Sequence, residues 1–137
     1  FLLTATFILS SFNLPFTLKQ RGQNIKNICN DGHVDTPVQI IFKGPALRPK
    51  ITNITTGEFI SVKKELTSED TLYITTEYGN KKVEIERNGI RENAFNYIDL
   101  ASTFFYLKIG DNLVEYTTES LEPKGVSIVY RNKYLGV

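Results

Sequence analysis

The chain has 137 residues, of which 41% are hydrophobic and 12% aromatic, with 16 basic and 15 acidic side chains. That length suits one domain able to bury roughly two-thirds of its unfolded surface, and the composition excludes a disordered chain. The net charge of +1 argues against a nucleic-acid binder, and the single cysteine, Cys29, excludes an intrachain disulfide.

Residues 1–10 read as a first strand, with Leu3, Ala5 and Phe7 alternating against Leu2, Thr4 and Thr6. The same stretch lacks the basic leader and cleavage site of a signal peptide. It is also far short of the roughly 20 apolar residues that span a bilayer, and no other segment approaches that length, so membrane insertion is not expected. Pro15 marks an extended connector over 11–18, and the polar 19–22 segment marks a boundary. Met is absent even at position 1, so the chain reads as a fragment or a processed piece.

Beyond the boundary, Ile25 and Ile28 anchor a short strand, and Asn30-Asp31-Gly32 turns the chain. Val38, Ile40 and Phe42 carry a period-2 pattern that Gly44-Pro45 ends. Short strands are expected over 49–55 and 59–62, and a charged loop or single helical turn over 63–70. Leu72, Ile74 and Thr76 alternate, Gly79-Asn80 turns, and Val83 and Ile85 return before a further turn at Asn88-Gly89. Residues 91–102 show no regular pattern. The aromatic run 104–109, the Gly110-Asp111-Asn112 turn signal and the 113–116 return predict a central hairpin, with Phe105, Leu107, Val114 and Tyr116 in the core. After a polar loop at 119–125, Val126, Ile128 and Tyr130 form the last strand.

About ten short strands separated by Gly, Pro, Asn and Asp indicate an all-β fold, a two-sheet β-sandwich of jelly-roll type. Chemistry is sparse. His33 is the sole histidine, so neither a His/Cys metal site nor a Ser-His-Asp device can be assembled around it with Cys29. Glu84 and Glu86 share a strand face, but Lys81, Lys82 and Arg87 beside them read as a solvated mixed-charge surface rather than the carboxylate pair of a glycosidase. No phosphate-cradling glycine loop is present. The expectation is a non-enzyme with no catalytic, metal or cofactor residues. A second reading is a carbohydrate-binding module that recognises host cell-surface glycans. Tyr73, Tyr78, Tyr97 and Tyr106 are its stacking candidates, although the chain has no Trp.

Several stretches in order resemble one family. They are Thr36-Pro37-Val38-Gln39-Ile40-Ile41-Phe42-Lys43-Gly44, Pro49-Lys50-Ile51-Thr52-Asn53 with Thr56-Gly57-Glu58, and Asp70-Thr71-Leu72-Tyr73-Ile74. They continue with Asn88-Gly89, Tyr97-Ile98-Asp99 with Ser102, Phe104 and Phe105, then Gly110-Asp111-Asn112 and the closing Tyr134-Leu135-Gly136-Val137. At these spacings the chain resembles the C-terminal half of siphovirus-type tail components, the distal tail protein family, over roughly residues 23–137. The resemblance implies a galectin-like sandwich at 21–137, preceded at 1–20 by the last strand and linker of a ring-forming domain. It also implies a phage or prophage virion protein, made in the bacterial host cytoplasm and placed at the tail tip. There it would form a homo-hexamer through the missing N-terminal domain. Its implied partners are other tail proteins: tail tube, tail-lysin or receptor-binding proteins.

Overall fold

The computed structural model of the chain describes residues 2–7 and 24–133. Twelve strands occur among them: β1 (Leu2–Thr6), β2 (Ile25–Asn30), β3 (Val38–Lys43), β4 (Ala46–Leu47), β5 (Lys50–Asn53), β6 (Glu58–Ser61), β7 (Glu65–Leu66), β8 (Asp70–Thr75), β9 (Lys82–Arg87), β10 (Ile90–Asn93), β11 (Gly110–Thr117) and β12 (Gly125–Arg131). One 3-10 turn, Phe95–Tyr97, is the only helical element described. The strands form a six-stranded antiparallel sheet in the order β1-β12-β3-β8-β9-β10, a four-stranded sheet β2-β11-β5-β6, and a small β4-β7 ribbon. The connector expected over 11–18, the polar turn at 19–22 and the 134–137 ending lie outside the described residues.

Alternation explains the layering. Val38, Ile40 and Phe42 on β3, Leu72 and Ile74 on β8, and Val126 and Ile128 on β12 are all buried, while their neighbours along each strand are not. They meet Ile28, Ile51, Ile60, Val114 and Tyr116 of the second sheet in one hydrophobic cluster. Burying a side chain of this size stabilises by about 1.5–3 kcal/mol. Tyr116 joins the layers, its ring edge-on to Phe7 at 5.1 Å and to Phe42 at 5.9 Å between centroids. Such edge-to-face pairs add about 0.5–1.5 kcal/mol beyond area burial. The fold is the predicted β-sandwich.

Three details differ from the sequence reading. The central hairpin does not form: residues 104–109 make no strand beyond a single bridge from Leu107 to Thr36, and Gly110 opens β11 instead of turning the chain. β11 pairs with β2 and β5. The four expected core residues, Phe105, Leu107, Val114 and Tyr116, are nevertheless all buried, because the run enters the core as an irregular crossover. Second, residues 91–93, read as irregular, form β10 together with Ile90. Asn88 and Gly89 both take positive φ, 54° and 78°, as a two-residue turn between paired strands requires. Third, Glu65 and Leu66, read as part of a charged loop or single helical turn over 63–70, form β7 and pair with β4. Residues 2–6 pair along their length with β12, and Ala5 and Phe7 lie in this core.

Candidate interaction surface

Three of the residues that carried the family resemblance, Asn53, Asp70 and Asn112, hold loops. At one end of the four-stranded sheet, three buried asparagines tie the chain together. Asn112 accepts the Lys108 N–H at 2.9 Å and an Asn53 Nδ2–H at 3.2 Å through Oδ1. Its own Nδ2 donates to the carbonyls of Lys108, Gly110 and Ile28. Asn53 Oδ1 receives the Thr55 and Thr56 N–H groups, closing the turn before Gly57. Asn30 donates to the carbonyls of Val34 and Leu107 and accepts the Gly32 N–H. Gly32 is required by space: a Cβ there would lie 2.5 Å from the Lys133 carbonyl oxygen.

Asp70 does the same work at the start of β8. Its buried carboxylate receives Arg87 Nε at 2.7 Å and Nη2 at 3.0 Å, together with the Thr67 N–H at 2.8 Å. The Arg87 pair is the main cause that holds its pKa at about 2, opposed by burial. Charge-assisted bidentate bonding of this kind favours the ionised acid.

Residues nominated for chemistry are mostly engaged with one another. Glu84 and Glu86 both face Arg91, at 3.8 and 3.2 Å, and the Arg91 guanidinium lies 4.0 Å from the Tyr73 ring centroid. This is the mixed-charge face expected from the sequence. Cys29 is exposed and its thiol donates to Asp31 Oδ1 at 3.1 Å, which is the first cause pushing its pKa up to about 11. A thiol held protonated in this way is a poor nucleophile at neutral pH. His33 is exposed, and its N–H donates to the Lys133 carbonyl at 2.6 Å. Among the described residues no group of three or more His, Cys, Asp or Glu side chains could hold a metal ion, and no helix is long and apolar enough to cross a membrane.

Ile90, Phe95, Tyr97 and Leu100 are exposed on β10 and the crossover that follows it. Tyr78 is 87% exposed on the β8–β9 loop, its N–H donating to the Tyr106 hydroxyl at 2.7 Å. Phe95 and Phe104 stack at 5.5 Å, with Lys81 5.6 Å from the Phe104 centroid. On the inner side of the β9–β10 hairpin, Ile85 is half-buried and Ile90 is 67% exposed, because no strand of the second sheet reaches under them. A cleft of about 490 Å³ opens there, bordered by Lys64, Asn93, Asn96 and Tyr97. Periodicity does not signal this surface, since β10 is exposed on every residue and shows no alternation.

No curated protein matches the chain. A solved chain from a structure described as the phage P2 baseplate in its activated conformation with Ca superposes with a TM-score of 0.52 at 17% identity. The match covers 72% of this chain and 33% of that one, so this chain spans about a third of its solved relative, and the likeness shows a common fold. A family model described as the siphovirus-type tail component, C-terminal domain, matches residues 31–134. That span contains Asn53 and Asn112, the Asp70–Arg87 anchor and every described strand except β1 and β2, and the chain belongs to the siphovirus-type tail component family.

Proposed function

We propose that this domain is a non-enzymatic structural part of a phage tail tip, the outer domain of the distal tail hub, and that it links the tail tube to the host-adsorption apparatus. The family is a tail component, so the coarse role is structural and its place is the virion. The observation that carries the finer reading is how the polar groups are spent. Asp70, Glu84, Glu86, Arg87 and Arg91 satisfy one another, and the buried asparagines hold loops. A catalytic centre needs titratable groups held apart with shifted pKa values in a cleft. An assembly domain needs a rigid shell with exposed contact residues, and Tyr78, Phe95 and Leu100 are of the type that interfaces bury.

Immunogold labelling of intact virions with antibody raised against residues 24–133 tests this reading. Label confined to the tail tip is expected. Label along the tube, on the capsid or nowhere would overturn it. Native mass spectrometry of the complete gene product is expected to give a hexamer, and a monomer would remove the ring.

A further inference from the structure

We propose that the cleft beneath the β9–β10 hairpin binds one neutral hexopyranose unit of a surface glycan. Its volume of about 490 Å³ falls within the roughly 300–1,000 Å³ usual for small-ligand sites. Its charges cancel: Lys64 and Arg87 stand against Asp70 and Glu92, so no field selects phosphate or carboxylate. What remains is amide chemistry. Asn88, Asn93 and Asn96 line the cleft. An amide offers donor and acceptor together, which matches the neighbouring hydroxyls of a sugar. Ile85 and Ile90 supply an apolar wall for the C–H face of the ring.

Tyr97 decides the placement. Of the four tyrosines that suit sugar stacking, Tyr73 has Arg91 over its ring and Tyr106 is half-buried with its hydroxyl taken by Tyr78. Tyr78 is exposed but borders none of the described clefts. Tyr97 alone of the four borders this cleft and keeps 39% of its surface exposed. Its carbonyl accepts the Lys63 N–H at 2.7 Å, which fixes the backbone, and Lys64 Nζ sits 4.5 Å from the ring centroid. A pyranose placed against the remaining ring surface would have the Lys64 ammonium beside it as a further donor. The cleft opens at the free edge of the six-stranded sheet, so a glycan chain can leave it without meeting another strand.

This inference stands on the chain's own side chains and does not rest on the tail-hub reading. It is tested by titrating the ¹⁵N-labelled 137-residue chain in separate NMR series with methyl α-glucoside, methyl α-galactoside, N-acetylglucosamine and inorganic phosphate. Saturable shifts at the Asn93, Asn96 and Tyr97 amides are expected with one of the three sugars, at a Kd of about 1 mM. Tyr97→Ala and Asn96→Asp should each weaken that binding about tenfold, a loss of about 1.4 kcal/mol, while Tyr78→Ala leaves it unchanged. The spectra report directly whether each variant is folded. The proposal is overturned by no shift at these amides with any sugar, by shifts that survive both cleft substitutions, or by phosphate binding as well as the sugars. Shifts confined to the exposed Tyr78 loop would equally overturn it.

Discussion

The sandwich treats two of its sheet edges in opposite ways. On the four-stranded sheet, β6 would be an open edge, but the crossover at 97–103 runs along it. The Lys63 N–H reaches the Tyr97 carbonyl, the Asp99 and Thr103 N–H groups reach the carbonyls of Ser61 and Phe59, and the Ser61 N–H reaches Ser102 Oγ. On the six-stranded sheet, β10 ends the order with all four residues exposed. An unpaired edge exposes backbone donors and acceptors and invites another strand. The sealed side is therefore part of the core's architecture, and the open side is where stability is lowest and contact is available.

The widest gap between the two sides should appear in truncation. Phe105, at the end of the crossover, is fully buried, whereas Ile90 on the open hairpin is mostly exposed. Phe105→Ala is expected to cost about 3–5 kcal/mol, and Ile90→Ala under about 0.5 kcal/mol. Urea unfolding of the two variants checks this. Equal losses would mean that the crossover is not seated in the core.

Next comes the amide that sets the crossover's exit. Asn112→Ala leaves the Lys108 N–H, the Asn53 amide and three carbonyls without their partner. A buried network loses about 1–3 kcal/mol for an unsatisfied group, so about 2–3 kcal/mol is expected here. Amide exchange at Lys108 should speed up at the same time. A variant that keeps both its midpoint and the Lys108 protection would show that the network is redundant.

The same two sides explain what the sequence could announce. Period-2 patterns such as Val38-Ile40-Phe42 and Leu72-Ile74 report strands because burial on one face is a local property of the chain. The 104–109 run has the apolar content of a strand, but lateral pairing is decided by distant partners, and β11 already has β2 on one flank and β5 on the other. Gly110-Asp111-Asn112 has turn residues, yet the Asn112 side chain closes the preceding loop while its backbone belongs to β11. β10 was hidden for the converse reason: Arg91, Glu92 and Asn93 carry no alternation because neither face of that strand is covered. The cleft was invisible except for Tyr97, since Asn88, Asn93 and Asn96 read locally as turn residues.

An intermediate effect belongs to the anchor at the start of β8, where Arg87 meets Asp70 across the sheet. The Asp70 carboxyl lies at about 2 in the fold against an ordinary 3.8. A depressed acid stabilises the folded state at pH values above its ordinary pKa, and that contribution disappears as pH falls from 3.8 toward about 2. Arg87 is half exposed, so solvent screening reduces the gain to about 1–2 kcal/mol. Chemical denaturation between pH 5 and pH 2 should show that loss, and Asp70→Asn should flatten it. An unchanged slope in the variant would assign the acid sensitivity to other carboxylates.

The smallest effect on stability, and the sharpest on behaviour, is expected at β10 itself. The Ala94 N–H bonds the Val83 carbonyl, so by alternation the Glu92 N–H also points to β9, and the Arg91 and Asn93 amides point outward. Those outward groups could pair with a second copy. An antiparallel pair that continues the sheet must set residues of the same face opposite each other. Its two-fold axis therefore passes through a single position, and an axis at the middle of the four-residue strand places either Arg91 on Arg91 or Glu92 on Glu92. Like charges directly opposed are destabilising, so the edge is guarded against its own copy while remaining open to a different strand. Arg91→Thr with Glu92→Thr removes both repulsions and gives up the partly exposed Arg91 ion pairs, worth about 0–1 kcal/mol, and its contact with the Tyr73 ring, worth about 0.5–1 kcal/mol. Analytical ultracentrifugation should show the double variant associating with rising concentration more strongly than the wild-type chain, with β10 amides newly protected from exchange. Identical sedimentation of the two proteins would mean that charge is not what keeps this edge unpaired.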